Sequence, residues 1–210
     1  MDLHGKIITI EGPNAAGKAT QTKLLVEALK GKGYKVEFFA YPEYETPTGQ
    51  LIRRYLEGEF GDKEALFEFA AFLYAADRAK NQPFYRPILE RGGVIVHDRY
   101  QESNWAIQTA LFHDPEVQEE KLQWLIGLEK YLLPSDHVYY LDVPAQVSLK
   151  LMQERGDQDK HELDTAFLFA TEVRYQELSE RFGWHRVACT DRAGDLLPRE
   201  EIHQNLMELL

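Results

Sequence analysis

Five short apolar runs recur along the chain, at 7–11, 35–40, 93–98, 137–142 and 186–189. Their length and flanking turn residues predict buried β-strands. The segments between them follow a helical period instead. Residues 18–30 place Leu24, Leu25, Ala28 and Leu29 on one side and stop at Gly31 and Gly33. Residues 66–78 are nearly continuous in Phe, Ala, Leu and Tyr, a pattern that predicts burial on more than one face. Leu122, Leu125, Ile126 and Leu133 carry a helical period up to Pro134, and a further long helix is predicted over 164–181, ahead of Gly183. Strands alternating with helices of this length imply an α/β fold, a parallel sheet covered on both faces. No repeat, linker or low-complexity segment divides it, so residues 1–210 read as one domain.

Composition narrows the function. The 44% hydrophobic content is that of a globular chain. With 24 Lys and Arg against 35 Asp and Glu, the net charge is −11, which argues against a long nucleic-acid partner but leaves room for a mononucleotide. Cys189 is the one cysteine; it can form no intrachain disulfide and reads as a small buried strand residue. The first six residues do not make a signal peptide, and no run reaches the ~20 apolar residues of a membrane helix. A cytoplasmic location is expected.

The sharpest local signal is Gly12-Pro13-Asn14-Ala15-Ala16-Gly17-Lys18-Ala19-Thr20, between the first strand and the first helix. Two glycines and small residues let backbone N–H groups approach phosphate oxygens at a helix N-terminus, and Lys18 would reach the β- and γ-phosphates of ATP. The usual hydroxyl after the lysine is replaced by Ala19, so one Mg²⁺ ligand is missing. Thr20 lies about 100° further round the helix and cannot take its place. A water could complete the Mg²⁺ shell. Asp98 ends a buried strand, where a carboxylate can hold Mg²⁺ directly or through water. The acidic stretch 116–120 reads as the solvated start of a helix.

Further segments resemble the thymidylate kinase family in order along the chain. Thr-Gln follows the Gly-rich loop at 20–21, and Tyr41-Pro42-Glu43-Tyr44 is similar to that family's segment after the second strand. The run 48–56, with Gly49 and Leu56, is similar to the helix that follows. Leu73-Tyr74-Ala75-Ala76-Asp77-Arg78 resembles a third motif, and Asp98-Arg99-Tyr100 with Ser103 and Gln108 a fourth. Tyr140-Leu141-Asp142-Val143 and Arg155 to Glu162 are similar to the fourth strand and the lid. The resemblance, over about residues 6–182, implies a P-loop NTPase-type three-layer fold with a five-stranded parallel sheet and a short lid at about 155–164. It implies transfer of the ATP γ-phosphoryl to dTMP, with Mg²⁺. On it, Lys18, Asp98, Arg99 and Arg155 are the catalytic candidates, Arg155 and Lys160 acting from the lid.

Arg99 would clamp the acceptor phosphate, Tyr74 would stack on the base, and Arg78, Ser103 and Gln108 would read its polar edge. Pro42, Tyr44 and Leu56 would line the same pocket. Residues 12–20 and Arg192 fall on the ATP side. The resemblance also implies a homodimer through helices near 66–80. Asn14 stands where the family commonly carries Asp, and Ile107 where an aromatic ring usually faces the sugar. Acceptors such as dUMP or UMP therefore remain open, as does a catalytically weak nucleotide-binding protein.

Overall fold

The computed structural model describes residues 2–62, 65–155 and 165–210, the side chain of Arg155 excepted. Five parallel strands form one sheet: β1 (Ile7–Glu11), β2 (Val36–Ala40), β3 (Val94–Asp98), β4 (His137–Asp142) and β5 (His185–Ala188), in the order β2-β3-β1-β4-β5. The helices are α1 (Lys18–Gly31), α2 (Pro47–Leu56), α3 (Phe67–Ala79), α4 (Gln82–Glu90), α5 (Gln101–Thr109), α6 (Pro115–Glu129), α7 (Ala145–Arg155), α8 (Thr165–Phe182) and α9 (Arg199–Glu208).

Strand alternation divides the core between the two faces of the sheet. Ile8 and Ile10 of β1 join Val94, Val96, Leu141 and Val187 against Leu25 and Leu29 of α1 and Ile202 and Leu206 of α9. Ile7 and Ile95 point the other way, toward Tyr41, Tyr85 and Tyr100. Farther along that face Tyr140 packs with Ala106, Leu122, Tyr175 and Leu178. All five residues of β1 are buried, as expected for the central strand of a sheet covered on both sides.

The strand order reverses at β1, whose neighbours β3 and β4 lead on to opposite edges. Ligands of open parallel sheets bind beyond the carboxyl ends of the strands at such a point. The register sets Ile10 opposite Asp98, so the Gly-rich loop after β1 and the Asp98-Arg99 pair after β3 emerge side by side.

The predicted elements stand where expected within a residue or two, with three differences. The helical period read up to Pro134 stops as α6 at Glu129. Leu132 and Leu133 instead pack beside Tyr85, and the Leu133 amide donates to Gln82 Oε1 at 2.9 Å as the chain turns into β4. α4 carried no sequence signal because Pro83 and Pro87 read as breakers; Pro83 sits in its first turn, and Pro87 gives up a single bond one turn later. On α3, Phe67, Ala70, Ala71, Asp77 and Arg78 are buried, whereas Phe72 is 52% exposed and packs on Trp124. The acidic start of α6 is solvated as expected, with Asp114 capping the Glu116 amide. Cys189 is fully buried, and burial pushes its thiol up to about 12.

Candidate nucleotide site

The loop 12–17 wraps the N-terminus of α1. Gly12 has φ 151° and a Cβ there would lie 3.0 Å from the Leu141 carbonyl; Gly17, the N-cap, has φ 81° with open space where a side chain would be. Ala15, a non-glycine, also holds a left-handed φ of 59°, a conformation that costs about 1 kcal/mol or more and recurs at ligand-binding loops. Lys18 is 8% exposed and its Nζ donates to the Pro13 carbonyl at 2.6 Å, which folds the charge back over the loop. Ala16 is buried; Ala19 and Thr20 are exposed on the first turn of α1. Ala19 offers no hydroxyl beside Lys18.

Arg99 emerges at φ 66° directly after β3. One of its nitrogens donates to the Gly12 carbonyl at 3.0 Å and to Ser103 Oγ and Tyr175 Oη at 3.2 Å; the other donates to Asn14 Oδ1 at 2.7 Å. The guanidinium thus bridges the Gly-rich loop, α5 and α8. Burial opposes its charge, and Tyr175, Glu11 and Asp98 together outweigh that effect. Behind it lies Glu11, wholly buried, whose carboxylate accepts from the Tyr100 and Ser103 amides, Ser103 Oγ and Tyr175 Oη at 2.6–3.0 Å. Sequence reasoning missed Glu11, although a carboxylate ending a fully buried strand just before a Gly-rich loop is itself a signal. It also changes the reading of Ser103: its proton goes to Glu11, so the hydroxyl braces Arg99 and can only accept from a ligand.

A pocket runs from this loop between α3 and α5. It is lined by Pro13 and Asn14, by Tyr41, Pro42 and Tyr44, by Tyr55 and Leu56 of α2, by Tyr74 and Arg78 of α3 and by Arg99. α5 adds Ser103, Asn104, Ile107 and Gln108; Leu111 and the start of α8, with Phe167, Leu168 and Thr171, close the far side. Every acceptor-pocket residue expected from the sequence lies in this lining: Pro42, Tyr44, Leu56, Tyr74, Arg78, Arg99, Ser103 and Gln108. The Asp77 carboxylate holds the walls together, accepting from the Glu43 amide at 2.9 Å, from Thr48 at 2.5 Å and from Lys80. Loop 41–46 and the N-terminus of α2 are so fastened to α3.

At the end away from the loop, Arg78 sits beneath Tyr74, its Cζ 5.8 Å from the ring centre, and donates to Glu129 Oε1 at 2.8 Å. Gln108 Oε1 and both amide atoms of Asn104 are buried there without a hydrogen-bond partner among the described residues. Orphaned buried amides are costly unless a ligand answers them. Asn104 was not singled out from the sequence; its place one turn before Gln108 on the pocket side of α5 could have marked it. Burial pushes the Glu129 carboxyl upward, and the Arg78 guanidinium 2.8 Å away opposes that shift by favouring its charged form.

Asp98 is half-buried at the end of β3, and among the described residues no hydrogen bond holds its carboxylate. No group of three or more metal-ligating side chains occurs among the described residues. That donor set suits Mg²⁺ carried on nucleotide phosphates and waters with one carboxylate, rather than an all-protein cage. Arg192 is exposed on the turn after β5 and does not reach the pocket. The side chain of Arg155, Lys160 and the lid expected at about 155–164 fall outside the described residues.

Glu102, beside Ser103 but outside the pocket lining, is 2% exposed, and one of its carboxylate oxygens has no hydrogen-bond partner among the described residues. Burial and the nearby Glu11 raise it from 4.5 to about 8. The folded state therefore binds its proton more tightly than the unfolded chain. Its contribution to stability is fully present below about 4.5, falls as pH rises, and is lost above about 8. Glu102→Gln should flatten that fall, so that the variant gains roughly 3 kcal/mol over the parent between pH 5 and pH 8.5 in urea titrations. An unchanged difference between the two pH values would show that Glu102 stays ionised in the fold.

A parallel sheet with a phosphate-type loop after its central strand and an arginine-lined pocket beside it define a P-loop nucleotide kinase. No helix among the described residues is long and apolar enough to span a membrane. The family model for thymidylate kinase matches residues 10–196. A probable thymidylate kinase from Thermococcus kodakarensis is 37% identical over 83% of this chain and 84% of its own length. A thymidylate kinase from Exiguobacterium is 31% identical, with 86% and 84% covered. The structure of Candida albicans thymidylate kinase overlays 98% of the chain and 91% of its own with a TM-score of 0.76 at 23% identity, a likeness of fold. The chain belongs to the thymidylate kinase family.

Proposed function

We propose that this protein transfers the γ-phosphoryl of ATP to the 5′-phosphate of dTMP, giving dTDP and ADP. The carrying observation is the two-ended pocket: Arg99 and the Gly-rich loop at one end, and Tyr74, Arg78, the Asn104 amide and Gln108 Oε1, the last two without partners among the described residues, at the other. An acceptor phosphate oxygen bonds to the γ-phosphorus while the bond to the β–γ bridging oxygen breaks, and ADP leaves with that electron pair. The attacking group is already an anion, so the protein's task is to align it and offset charge. Lys18 leaves Pro13 for the donor phosphates, Arg99 holds the acceptor phosphate, and Tyr74 and Arg78 fix the base. Arg155 and Lys160 are assigned to the transferring group from the lid, and Arg192 to the ATP side. Asp98 would hold Mg²⁺, which when bound offsets phosphate charge.

A coupled ADP-release assay with dTMP, dUMP, UMP, CMP and GMP tests this reading. Turnover confined to dTMP and dUMP is expected; no turnover with any acceptor would replace it with a nucleotide-binding role. Ile107, an aliphatic side chain, is part of the pocket lining; turnover of UMP in the same assay would tie it to weakened discrimination at the sugar.

The protein is further proposed to act in the cytoplasm as a homodimer. Phe72 on α3, 52% exposed, and Trp124 on α6, 36% exposed, supply an apolar face for a second copy. Light scattering at micromolar concentration should give twice the chain mass, and Phe72→Glu should give the monomer.

A further inference from the structure

Two arginines face one pocket, and the acceptor carries a phosphate that either could take. What distinguishes them is the counter-charge behind each. Arg78 is 3% exposed at its side chain and donates directly to Glu129, itself 0% exposed and delivered from the last turn of α6. Arg99 lies 4.0 Å from Glu11, whose carboxylate is spread over four other donors. Asn104 and Trp105 lie near enough to Glu129 to favour its charged form, though outside hydrogen-bonding geometry. The Arg78 Nε has no partner, so nothing but Glu129 competes strongly for this guanidinium among the described residues.

We propose that Glu129 is a positioning residue for acceptor choice: it cancels the charge of Arg78, so that Arg78 serves the base as a neutral-pair donor and the phosphate goes to Arg99. The inference rests on the nucleotide-acceptor reading above. A charged guanidinium in a buried pocket is an anion trap, and bidentate arginine is well suited to phosphate. Paired with a buried carboxylate, the same group keeps its donors but loses its net attraction for anions. It can then favour a carbonyl oxygen on a base over a phosphate. Without Glu129, dTMP could bind with its phosphate at the wrong end.

The test is inorganic phosphate as an inhibitor against dTMP, with Glu129→Gln beside the parent enzyme. The glutamine keeps the shape and one acceptor but removes the charge. Its expected signature is a fall of about tenfold in the phosphate inhibition constant, a rise of about tenfold in KM for dTMP, and a KM for ATP within about twofold of the parent. A merely structural carboxylate would lower the melting temperature without sharpening phosphate inhibition, and an unchanged inhibition constant overturns the proposal. Should Glu129→Gln fail to fold, Arg78→Leu with Glu129→Leu removes both charges together, an exchange that buried pairs often tolerate. That double variant should keep the parent's weak phosphate inhibition and lose the preference for dTMP over dCMP; a retained preference overturns the proposal. If the parent turns over no dTMP, the acceptor reading itself has failed, an outcome separate from these.

Discussion

Replacing Lys18 with alanine should lower kcat with ATP and dTMP by about a thousandfold or more while the fold persists. The Nζ sits at the N-terminus of α1, 8% exposed, where a positive charge is screened little by water. It donates to the Pro13 carbonyl, an acceptor that the Ala16 amide also approaches at 3.4 Å. Its removal therefore leaves the loop partly tied and the first turn of α1 intact, since Thr22 still donates to the Lys18 carbonyl. What disappears, on the proposed mechanism, is the charge offered to the γ-phosphoryl in the transition state. Lys18→Arg should recover little of it, because a planar fork cannot stand in for a compact ammonium inside so tight a loop. Steady-state rates on variants of matched melting temperature decide the matter. More than a tenth of parental activity in Lys18→Ala would remove Lys18 from the catalytic role.

The site divides into what local sequence can announce and what only the fold assembles. The Gly-rich loop was legible because its chemistry is contiguous: strand, two glycines, lysine and helix follow one another, and each imposes a backbone requirement visible in residue type. The same holds for Asp98-Arg99 at the end of β3. The pocket residues of α3 and α5 were legible only through ordered motifs, since Tyr74 in an aromatic helix looks like core. Glu129 was not legible at all. It lies 51 residues from Arg78, in a stretch whose acidic residues are mostly solvated, and only the packing of α6 beside α3 and α5 turns it inward. Glu11 was hidden for the opposite reason, as the last residue of an apolar run whose other members are core. Ser103 shows what a motif leaves out: its hydroxyl donates to Glu11, at the end of a strand 92 residues away in sequence. Proline content concealed α4, which takes Pro83 in its first turn and Pro87 in its interior.

Arg99→Ala should cost about a thousandfold in kcat/KM for dTMP and little in stability. The contrast follows from how the guanidinium is held. It donates to Gly12, Asn14, Ser103 and Tyr175, and Ser103 and Tyr175 keep their own bonds to Glu11 without it. Glu11 retains all four of its other donors, so β1 and the N-terminus of α5 remain joined when Arg99 is truncated. Alanine also tolerates the left-handed φ of 66° no worse than arginine does, so no new backbone strain enters. The loss should fall on the acceptor: KM for dTMP rises and kcat drops, while KM for ATP moves far less, because the proposed mechanism leaves the donor to Lys18 and the loop amides. Arg99→Lys should stay within about tenfold of Arg99→Ala, since one ammonium cannot span Asn14 and the acceptor phosphate as the fork does. If Arg99→Ala instead raised KM for ATP and spared dTMP, Arg99 would belong to the donor side, and the acceptor phosphate would have to lie nearer Arg78.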